Sequence, residues 1–527
     1  MQVYNGNVIT CDGDDTVAGY LVEDKGRILY VGNELPQEYA AAGNLIELRD
    51  KALIPAFADG HLHFSNWALV SVSYFDVRSA GNFHELRTLI NEFARKDRKS
   101  KVLFSFGISK HSLEEKRLVT REELDEMYSE RPLMIIGYDG HSLIGNSKLI
   151  DRYPEEIKSL RGFNADSGQL VSEAYYRGLD FSTSQVPPFF LINSILRSFD
   201  LLAERGIGLI HPVEGIGFPL DLDVKMVSLI ARACSRRNGF QTRVFFQTMD
   251  TEKVLKRGLP RIGGCFATAL DGCFGACDAA LAEPYSHDSG NKGILFYSDD
   301  EIIRFTKAAN RAGLQIEMHA IGDAAVTQAV MAIGEALKDF PRQDHRHTLI
   351  HACLLSRKNL EKCAELGIGI TLQPGFLVSP LEPAEYLKEI LGSRMGINSP
   401  LRDMVDAGIH LSGGSDAPVT PPDPIEGLYG ACNHPYNPAQ SLTIQEALKM
   451  FTYEVARTSF DEKDRGSLEK GKIADMVILN RNPLEMDPQD LKSLKIEKLM
   501  LRGREYQPGM RIPGMLIHAL LGAKEMI

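Results

Sequence analysis

The chain has 527 residues, of which 44% are hydrophobic and 24% are charged, and its formal net charge at pH 7 is −11. This length exceeds what one small hydrophobic core needs, so we expect a large domain with a smaller one beside it. The composition is typical of a globular protein, and no basic block offsets the negative charge, which argues against nucleic acid or an anionic membrane as a partner.

Short strands are predicted near both ends of the chain, where turn residues separate the apolar segments. These strands are Gln2–Ile9, Thr16–Glu23, Arg27–Gly32, Ala474–Asn480 and Ile496–Arg502. Two β-rich ends around a long middle section predict one small sheet domain built from both termini, residues 1–52 and 466–510. The apolar tail at 511–527 is expected to pack on the protein or on a second subunit.

The middle section, residues 53–465, alternates apolar runs with helical stretches such as Asp300–Ala312, Ala324–Phe340 and Ser356–Leu366. Alternation of this kind predicts an α/β fold with parallel strands and right-handed crossovers. Because candidate metal ligands lie at the carboxyl ends of several strands, a (β/α)8 TIM barrel is favoured over an open sheet. A long insertion is expected at about 66–200.

Histidine and aspartate residues end four of the apolar runs. His61 and His63 lie two residues apart, so on a strand their side chains share a face and both imidazoles can project toward one metal ion. Three later runs end in His319, His351 and Asp416. Imidazole and carboxylate groups at four strand ends point to a metal centre at one rim of the barrel.

Cysteine usage and apolar stretches bear on the compartment. The eight cysteines include no CxxC pair, and the chain does not open with a charged segment followed by an apolar one. No apolar stretch reaches the roughly 18 residues that a membrane-spanning helix needs. These features predict a reduced, cytoplasmic setting without membrane contact.

Several segments resemble a known family. Residues 55–63, which read Pro-Ala-Phe-Ala-Asp-Gly-His-Leu-His, resemble the opening motif of the amidohydrolase superfamily. Later segments resemble the branch that includes N-substituted formamide deformylases, namely residues 139–147, 283–285, 319–323, 402, 414–424 and 466–475. The similarity extends over nearly the whole chain, and it implies a barrel with a composite β-sandwich and metal-assisted hydrolysis of C–N bonds.

The resemblance also implies roles for the candidate residues. His61 and His63 would bind metal from the first barrel strand, and His319 would bind it from the fifth. His351, from the sixth strand, would be a ligand or a hydrogen-bonding partner of the hydroxide. Asp416, from the eighth strand, would bind metal and relay a proton to the leaving nitrogen.

The insertion contributes one further candidate. The resemblance suggests that His141 reaches the site to contact substrate or to stabilise an oxyanion. A structural histidine in a turn is the alternative interpretation.

The sequence departs from the superfamily at one position that matters for the metal. Many relatives carry a lysine four residues before an Asp-Gly pair, and its carboxylated side chain bridges two metals. Here the residue four before Asp271 is Ala267. No bridging carbamate can form there, so we expect one metal ion, with His351 hydrogen-bonded to its water. Cys265 has the side-chain parity of Ala267 and could contribute a thiolate, but a buried, inert cysteine is the preferred interpretation.

A second departure lies at residues 206–212, where relatives often end the segment in aspartate. His211 and Glu214 could compensate for it, and the sequence assigns neither of them a role.

These observations predict a metal-dependent hydrolase that cleaves the C–N bond of a small amide, cyclic amide or N-acyl compound by metal-activated water. A deaminase of an amino-substituted ring and a non-catalytic ligand-binding barrel are the alternatives. Zinc is the expected ion, but iron and manganese suit histidine and carboxylate as well. By analogy with many relatives, we expect a homodimer or a higher homo-oligomer.

Overall fold

Strands at both ends of the chain flank a long middle section in the computed structural model, which describes residues 1–98 and 100–521. The N-terminal strands are β1 (Gln2–Ile9), β2 (Val17–Asp24), β3 (Arg27–Gly32) and β4 (Asn44–Pro55). The middle strands are β5 (Phe57–Leu62), β6 (Phe75–Asp76), β7 (Leu103–Ile108), β8 (Leu133–Gly137), β9 (Ser142–Gly145), β10 (Phe163–Asn164), β11 (Gln169–Val171), β12 (Ile207–Glu214), β13 (Gln241–Thr242), β14 (Phe245–Phe246), β15 (Arg261–Ala269), β16 (Gln315–Ala320), β17 (Thr348–His351), β18 (Gly369–Leu372) and β19 (Leu411–Gly413). The C-terminal strands are β20 (Met476–Leu479), β21 (Ile496–Leu501) and β22 (Arg504–Glu505).

The strands of both termini form one sheet, in the order β22-β21-β20-β4-β1-β2-β3. β20 pairs antiparallel with β4, which joins the C-terminal strands to the N-terminal ones. The sheet has a buried core of its own that includes Tyr4, Leu21 and Met476. The predicted union of the two ends is therefore observed. The pairing shows a single sheet and not two facing sheets, so the predicted sandwich is not confirmed, and the predicted domain boundaries stay predictions.

The middle section contains a nearly closed barrel of eight parallel strand positions. Parallel pairing runs from β5 through β12, β14, β15, β16, β17 and β18 to β19, and β13 also pairs with β12, so that β13 and β14 share the third position. β19 approaches β5 at the seam, where the Asp416 amide donates to the His61 carbonyl at 2.8 Å. Strands such as β5 and β16 are buried on both faces, as expected for parallel strands covered by helices.

Helices connect the barrel strands and follow the last of them. They are Leu222–Asn238, Thr251–Lys256, Asp299–Arg311, Asp323–Asp339, Arg357–Leu366, Ala384–Leu391, Leu401–Asp406, Pro424–Cys432, Ile444–Met450 and Tyr453–Thr458, and the terminal sheet adds Gln37–Ala42. The three helices predicted after residue 299 are confirmed to within one residue. Ser298 and Glu301 form a capping box at the start of the first of these, which explains why that helix begins where it does.

The predicted insertion lies between β5 and β12. It forms a six-stranded sheet in the order β10-β11-β9-β8-β7-β6. Its helices are Phe64–Val72, Phe83–Lys96, Arg121–Met127, Ser147–Ile150, Glu155–Lys158, Ser172–Thr183 and Pro188–Glu204. The turn between β8 and β9 carries Asp139 and His141 to the wall of a cavity at the barrel rim.

The apolar tail begins as the helix Ile512–Leu521, which contacts the helix Leu222–Asn238. Met515 and Ala519 are buried, as expected for a packing helix, whereas Leu520 is 85% exposed. The rest of the predicted tail, 522–527, lies outside the described residues. The predicted homo-oligomer stays a prediction.

Among the described residues, no single helix has the length and apolar composition needed to cross a membrane. The helices Ser172–Thr183 and Pro188–Glu204 meet those criteria only as a pair, which is bent by 101°.

Candidate metal centre

Two groups of possible metal ligands meet at the carboxyl ends of the barrel strands. The first comprises His61, His63, Cys265 and Asp416, and the second comprises Cys265, His319 and His351. In each group the ligand atoms lie within 4.8 Å of one another, and every residue is buried. The structure thus brings together all five metal ligands that the sequence predicted. It also adds Cys265, the one residue that the two groups share.

Distances within the first group are short. The His61 Nε2 atom lies 3.0 Å from Cys265 Sγ and 3.3 Å from Asp416 Oδ1, and His63 Nε2 lies 3.2 Å from the same carboxylate oxygen. Imidazole, thiolate and carboxylate together form a donor set that suits a divalent transition metal, zinc above all.

Several of these buried atoms have no hydrogen-bond partner among the described residues. They include the Nδ1 atom of His319 and the Oδ1 atom of Asp416, whereas the Nδ1 atom of His61, which also has no hydrogen-bond partner, faces Glu317. An unsatisfied buried polar atom costs about 1–3 kcal/mol, and natural proteins contain few of them. A cation can satisfy such electron-pair donors, so the residues present fit a divalent ion.

An irregularity in β15 places Cys265 at the centre. Gly264 pairs with Met318 and Ala269 pairs with His319, so the four residues between them have no partner in β16. Gly263 has φ +103°, and a Cβ atom there would lie 2.0 Å from the Glu317 carbonyl oxygen, so only glycine fits.

The Thr268 hydroxyl stabilises this bulge, because it accepts from the Gly264 amide at 2.9 Å and donates to the Glu317 carbonyl at 2.9 Å. Parity counted along a regular strand therefore fails here. Cys265 lines the cavity, whereas Ala267 is not among the lining residues. The interpretation of Cys265 as an inert buried thiol does not agree with this position.

Close backbone approach places Asp416. A Cβ atom on Gly414 would lie 2.7 Å from the His61 amide nitrogen, so glycine is what allows this segment to lie against β5. Asp416 and His351 have φ values of +55° and +71°, which non-glycine residues seldom adopt. Left-handed backbone at two candidate ligands is typical of positions that a functional site holds under strain.

A second layer of polar side chains orients the candidate ligands, and the sequence analysis missed it. Asp59 accepts from the amide and hydroxyl of Ser415 at 3.0 and 2.6 Å and from the His61 amide at 3.2 Å. Glu317 Oε2 lies 3.6 Å from His61 Nδ1. The His351 Nδ1–H donates to Gln373 Oε1 at 2.6 Å, which leaves Nε2 facing the cluster, 3.6 Å from Cys265 Sγ.

The second-layer residues had a sequence signal. Glu317 shares a strand face with His319 because the two are two residues apart, and Gln373 directly follows β18. Both are therefore polar residues at barrel strand ends, the same signal that identified the histidines.

Opposite charges shift the pKa values within the cluster. Burial raises the pKa of the Cys265 thiol, but the surrounding imidazoles, His61 foremost, outweigh burial and hold it well below its usual value. Burial alone would lower the pKa of His61, yet Cys265 and Asp416 raise it well above the usual value. Burial and Cys265 raise the pKa of Asp416, whereas hydrogen bonds with His61 and His63 bring it below its usual value. The cluster therefore favours an anionic thiolate and carboxylate, the forms that bind cations.

The other candidate residues divide into two classes. His141 lines the same cavity, and its ring centroid lies 6.2 Å from that of His319, so it is placed to act on substrate although its role stays a prediction. His211 and Glu214 are buried in β12 and belong to neither ligand group. Glu214 accepts from the Ser65 amide at 3.0 Å, which is a structural contact.

Five of the candidate ligands line a cavity that opens to solvent, namely His63, Cys265, His319, His351 and Asp416. Its wall is largely aromatic and aliphatic and includes Phe106, Tyr138, Phe266 and Phe376. The described lining contains acidic and neutral residues and neither lysine nor arginine.

Comparison with known proteins identifies the family of this chain. The model of the amidohydrolase family matches residues 44–169 and 263–506, which is more than half of the chain. The chain therefore belongs to the amidohydrolase family.

Particular relatives cover nearly the whole chain. A Bacillus subtilis (strain 168) protein named as an amidohydrolase, YtcJ, is 27% identical over 94% of this chain and 96% of its own length. The N-substituted formamide deformylase of Arthrobacter pascens is 24% identical over 95% and 97%, respectively. The crystal structure of an uncharacterized metal-dependent hydrolase from Pyrococcus furiosus is 26% identical and has a TM-score of 0.72, covering 92% of this chain and 100% of that one. The family recognised in the sequence is confirmed.

Proposed function

We propose that this protein hydrolyses the C–N bond of a small amide, cyclic amide or N-acyl compound with the help of a divalent metal. The observation that carries the proposal is the position of Asp416. Its Oδ1 atom lies within 3.3 Å of the Nε2 atoms of His61 and His63, at the end of a mostly apolar cavity. A carboxylate so placed reaches both the candidate ligands and the space that a substrate would fill.

The chain's own residues supply the proton transfers and the positioning. A divalent ion held by these residues would make water nucleophilic at neutral pH and would polarise the scissile carbonyl. Asp416 then accepts the proton of the attacking water and passes it to the leaving nitrogen. His141 is placed to donate a hydrogen bond to the carbonyl oxygen as negative charge develops on it, whereas His351, whose Nδ1–H is donated to Gln373, presents its Nε2 lone pair as a ligand.

The cavity wall narrows the class of substrate. Away from the metal, a carboxylate on the substrate would meet no lysine or arginine among the lining residues, but it would meet Asp139 and Glu382. We therefore expect a neutral or cationic amide with an apolar substituent. The similarity to an N-substituted formamide deformylase supports N-substituted amides as the first compounds to test.

The central test is the Asp416→Asn variant, assayed on N-substituted formamides, N-acyl amines and cyclic amides. We expect kcat to fall by about 10³-fold because the proton acceptor is lost, within the range usual for general acid–base groups. Asparagine keeps the shape and an oxygen donor, so most of the metal should remain bound. Asp288→Asn, on an exposed loop, is the matched control and should keep full activity.

Product analysis separates the proposal from its rivals. Hydrolysis of an amide yields an acid and an amine, whereas release of ammonia without an acid would identify a deaminase. A fully active Asp416→Asn variant would refute the proton-relay role. Less than half an equivalent of zinc, iron or manganese per chain after metal-supplemented expression would favour a ligand-binding barrel without turnover.

A further inference from the structure

We propose that Cys265 is a shared thiolate ligand that joins two metal ions, the role that a carboxylated lysine has in many relatives. This inference rests on the proposed metal-dependent function only in requiring that the centre binds divalent ions. It replaces the single ion expected from the alanine at position 267.

The first support is the division of the ligands into two groups. Bonds of about 2.0–2.3 Å place all ligand atoms of one ion within roughly 4.6 Å of one another. In each of the two ligand groups, the ligand atoms lie within 4.8 Å of one another. One group joins Cys265 to His61, His63 and Asp416, and the other joins it to His319 and His351. No described group contains all five of these residues, and Cys265 alone belongs to both. One ion cannot bind every candidate, whereas two ions that share one sulfur can.

The second support is the surroundings of the sulfur atom. Cys265 Sγ lies 3.0 Å from His61 Nε2 and 3.6 Å from His351 Nε2, so it faces one imidazole from each group. The residue is 3% exposed. A thiol buried for packing alone would have apolar neighbours, whereas this one lies among the ring nitrogens of histidines.

The third support is that the backbone is shaped to deliver this side chain. The bulge after Gly264 interrupts pairing with β16, and Gly263 is held where any Cβ atom would collide with the Glu317 carbonyl. Bulges of this kind redirect a side chain at functional sites at the expense of sheet pairing. The irregularity is therefore explained if the position of Cys265 serves a ligand.

Charge balance is consistent with two ions. The Asp416 carboxylate and the Cys265 thiolate are the anionic ligands, and buried Glu317 lies behind His61. Asp271 lies behind His319, with Oδ1 3.5 Å from Nε2. Four acidic groups around a pair of divalent ions would keep the buried charge nearly neutral, as buried charges require.

Cobalt titration tests the proposal without substrate. The metal-free full chain is titrated with Co²⁺, and the thiolate-to-cobalt charge-transfer absorption in the near ultraviolet is followed together with bound cobalt. We expect two ions per chain in the wild type, with thiolate absorption that rises through both equivalents. Cys265→Ala should lose this absorption and bind one ion or fewer.

Matched variants serve as controls for the titration, and the wild-type result by itself can refute the proposal. Cys363→Ala removes another fully buried thiol, distant from both ligand groups, and should leave the absorption and two-ion stoichiometry unchanged. Cys265→Ser serves if the alanine variant does not fold. Saturation of the wild type at one ion, or two ions without thiolate absorption, overturns the proposal whatever the variants do.

The outcomes also separate this proposal from the proposed function. Two ions with thiolate absorption but no hydrolysis of any amide would leave the shared ligand intact and refute the function. Hydrolysis by a one-ion enzyme without thiolate absorption would do the reverse.

Discussion

Asp271 is predicted to hold together the loops that carry the metal centre. Its side chain is fully buried, and its Oδ1 accepts from the Ile321 amide at 3.0 Å. Its Oδ2 accepts from the amides of Gly322 and Ala280, both at 2.8 Å. One carboxylate thus joins two segments of the chain. The first directly follows β16, the strand that carries His319, and the second is the loop that follows β15.

The magnitude follows from the hydrogen bonds that Asp271→Ala would break. Three buried amides would lose their acceptor, and each orphaned donor costs about 1–2 kcal/mol after partial relaxation, so local stability should fall by about 3–6 kcal/mol. At about 1.4 kcal/mol per factor of ten, amide exchange at Ile321 and Gly322 should accelerate by at least about 10²-fold. Asp271→Asn retains one oxygen acceptor and should show an intermediate effect.

Hydrogen exchange followed by mass spectrometry measures this directly in peptides that contain residues 280 and 321–322. Asp288→Ala is the control, because Asp288 is exposed and accepts only from the Gly290 amide at 3.0 Å. If Asp271→Ala left the exchange of these amides within about threefold of this control, less than about 1 kcal/mol, the three hydrogen bonds would not hold the loops as argued.

Two further predictions concern pH. Burial, with a contribution from Arg261, lowers the pKa of His211 to about 3, below the roughly 6.5 of an unfolded histidine. Its stabilising contribution is therefore complete above pH 6.5 and is lost at about 1.4 kcal/mol per pH unit as the pH falls toward 3. Between pH 7.5 and pH 5 the free energy of unfolding of the wild type should fall by about 2 kcal/mol more than that of His211→Leu. Urea unfolding of both proteins at the two pH values measures this difference, and an equal fall in the two proteins would contradict the prediction. Burial raises the pKa of Glu382, on the cavity wall, to about 7 although Tyr138 donates a hydrogen bond to it at 3.1 Å. The carboxylate of Glu382 is therefore charged above that pH and attracts a cationic substrate. For about 1.4 kcal/mol of added attraction, KM for an amine-bearing amide should fall roughly tenfold from pH 6 to pH 8, relative to KM for a neutral analogue. Glu382→Gln should abolish this difference.

Local patterns were sufficient to predict the barrel pattern, the three helices after residue 299 and the histidines that meet in the candidate metal centre. Alternation of strands with helices identified the barrel, and the helix predicted at Ser356–Leu366 is observed at Arg357–Leu366. His61 and His63 were recognised because side chains two apart on a strand share a face. These features depend on residues close in sequence, so a single segment contains the information.

The pairing of the terminal strands was only partly predictable. The sequence indicated that both ends contain strands and belong together. The partner of each strand depends on contacts between residues hundreds of positions apart, such as those of β20 with β4. The family resemblance implied a sandwich of two facing sheets, whereas the pairing joins all seven strands in one sheet.

The placement of Cys265 depended on tertiary structure. Counted along a regular strand, Ala267 occupies the position of the bridging lysine and Cys265 shares its side-chain parity, so the sequence left open whether Cys265 contributes a thiolate or is a buried, inert thiol. The unpaired residues after Gly264 break that count, and they arise where the backbone of β15 must fit against β16. Strand periodicity is a local property that the residues encode directly, whereas a bulge results from the packing of two distant segments. The candidate ligands on regular strand ends could therefore be predicted, whereas only the folded chain shows that Cys265, and not Ala267, lines the cavity and belongs to both ligand groups.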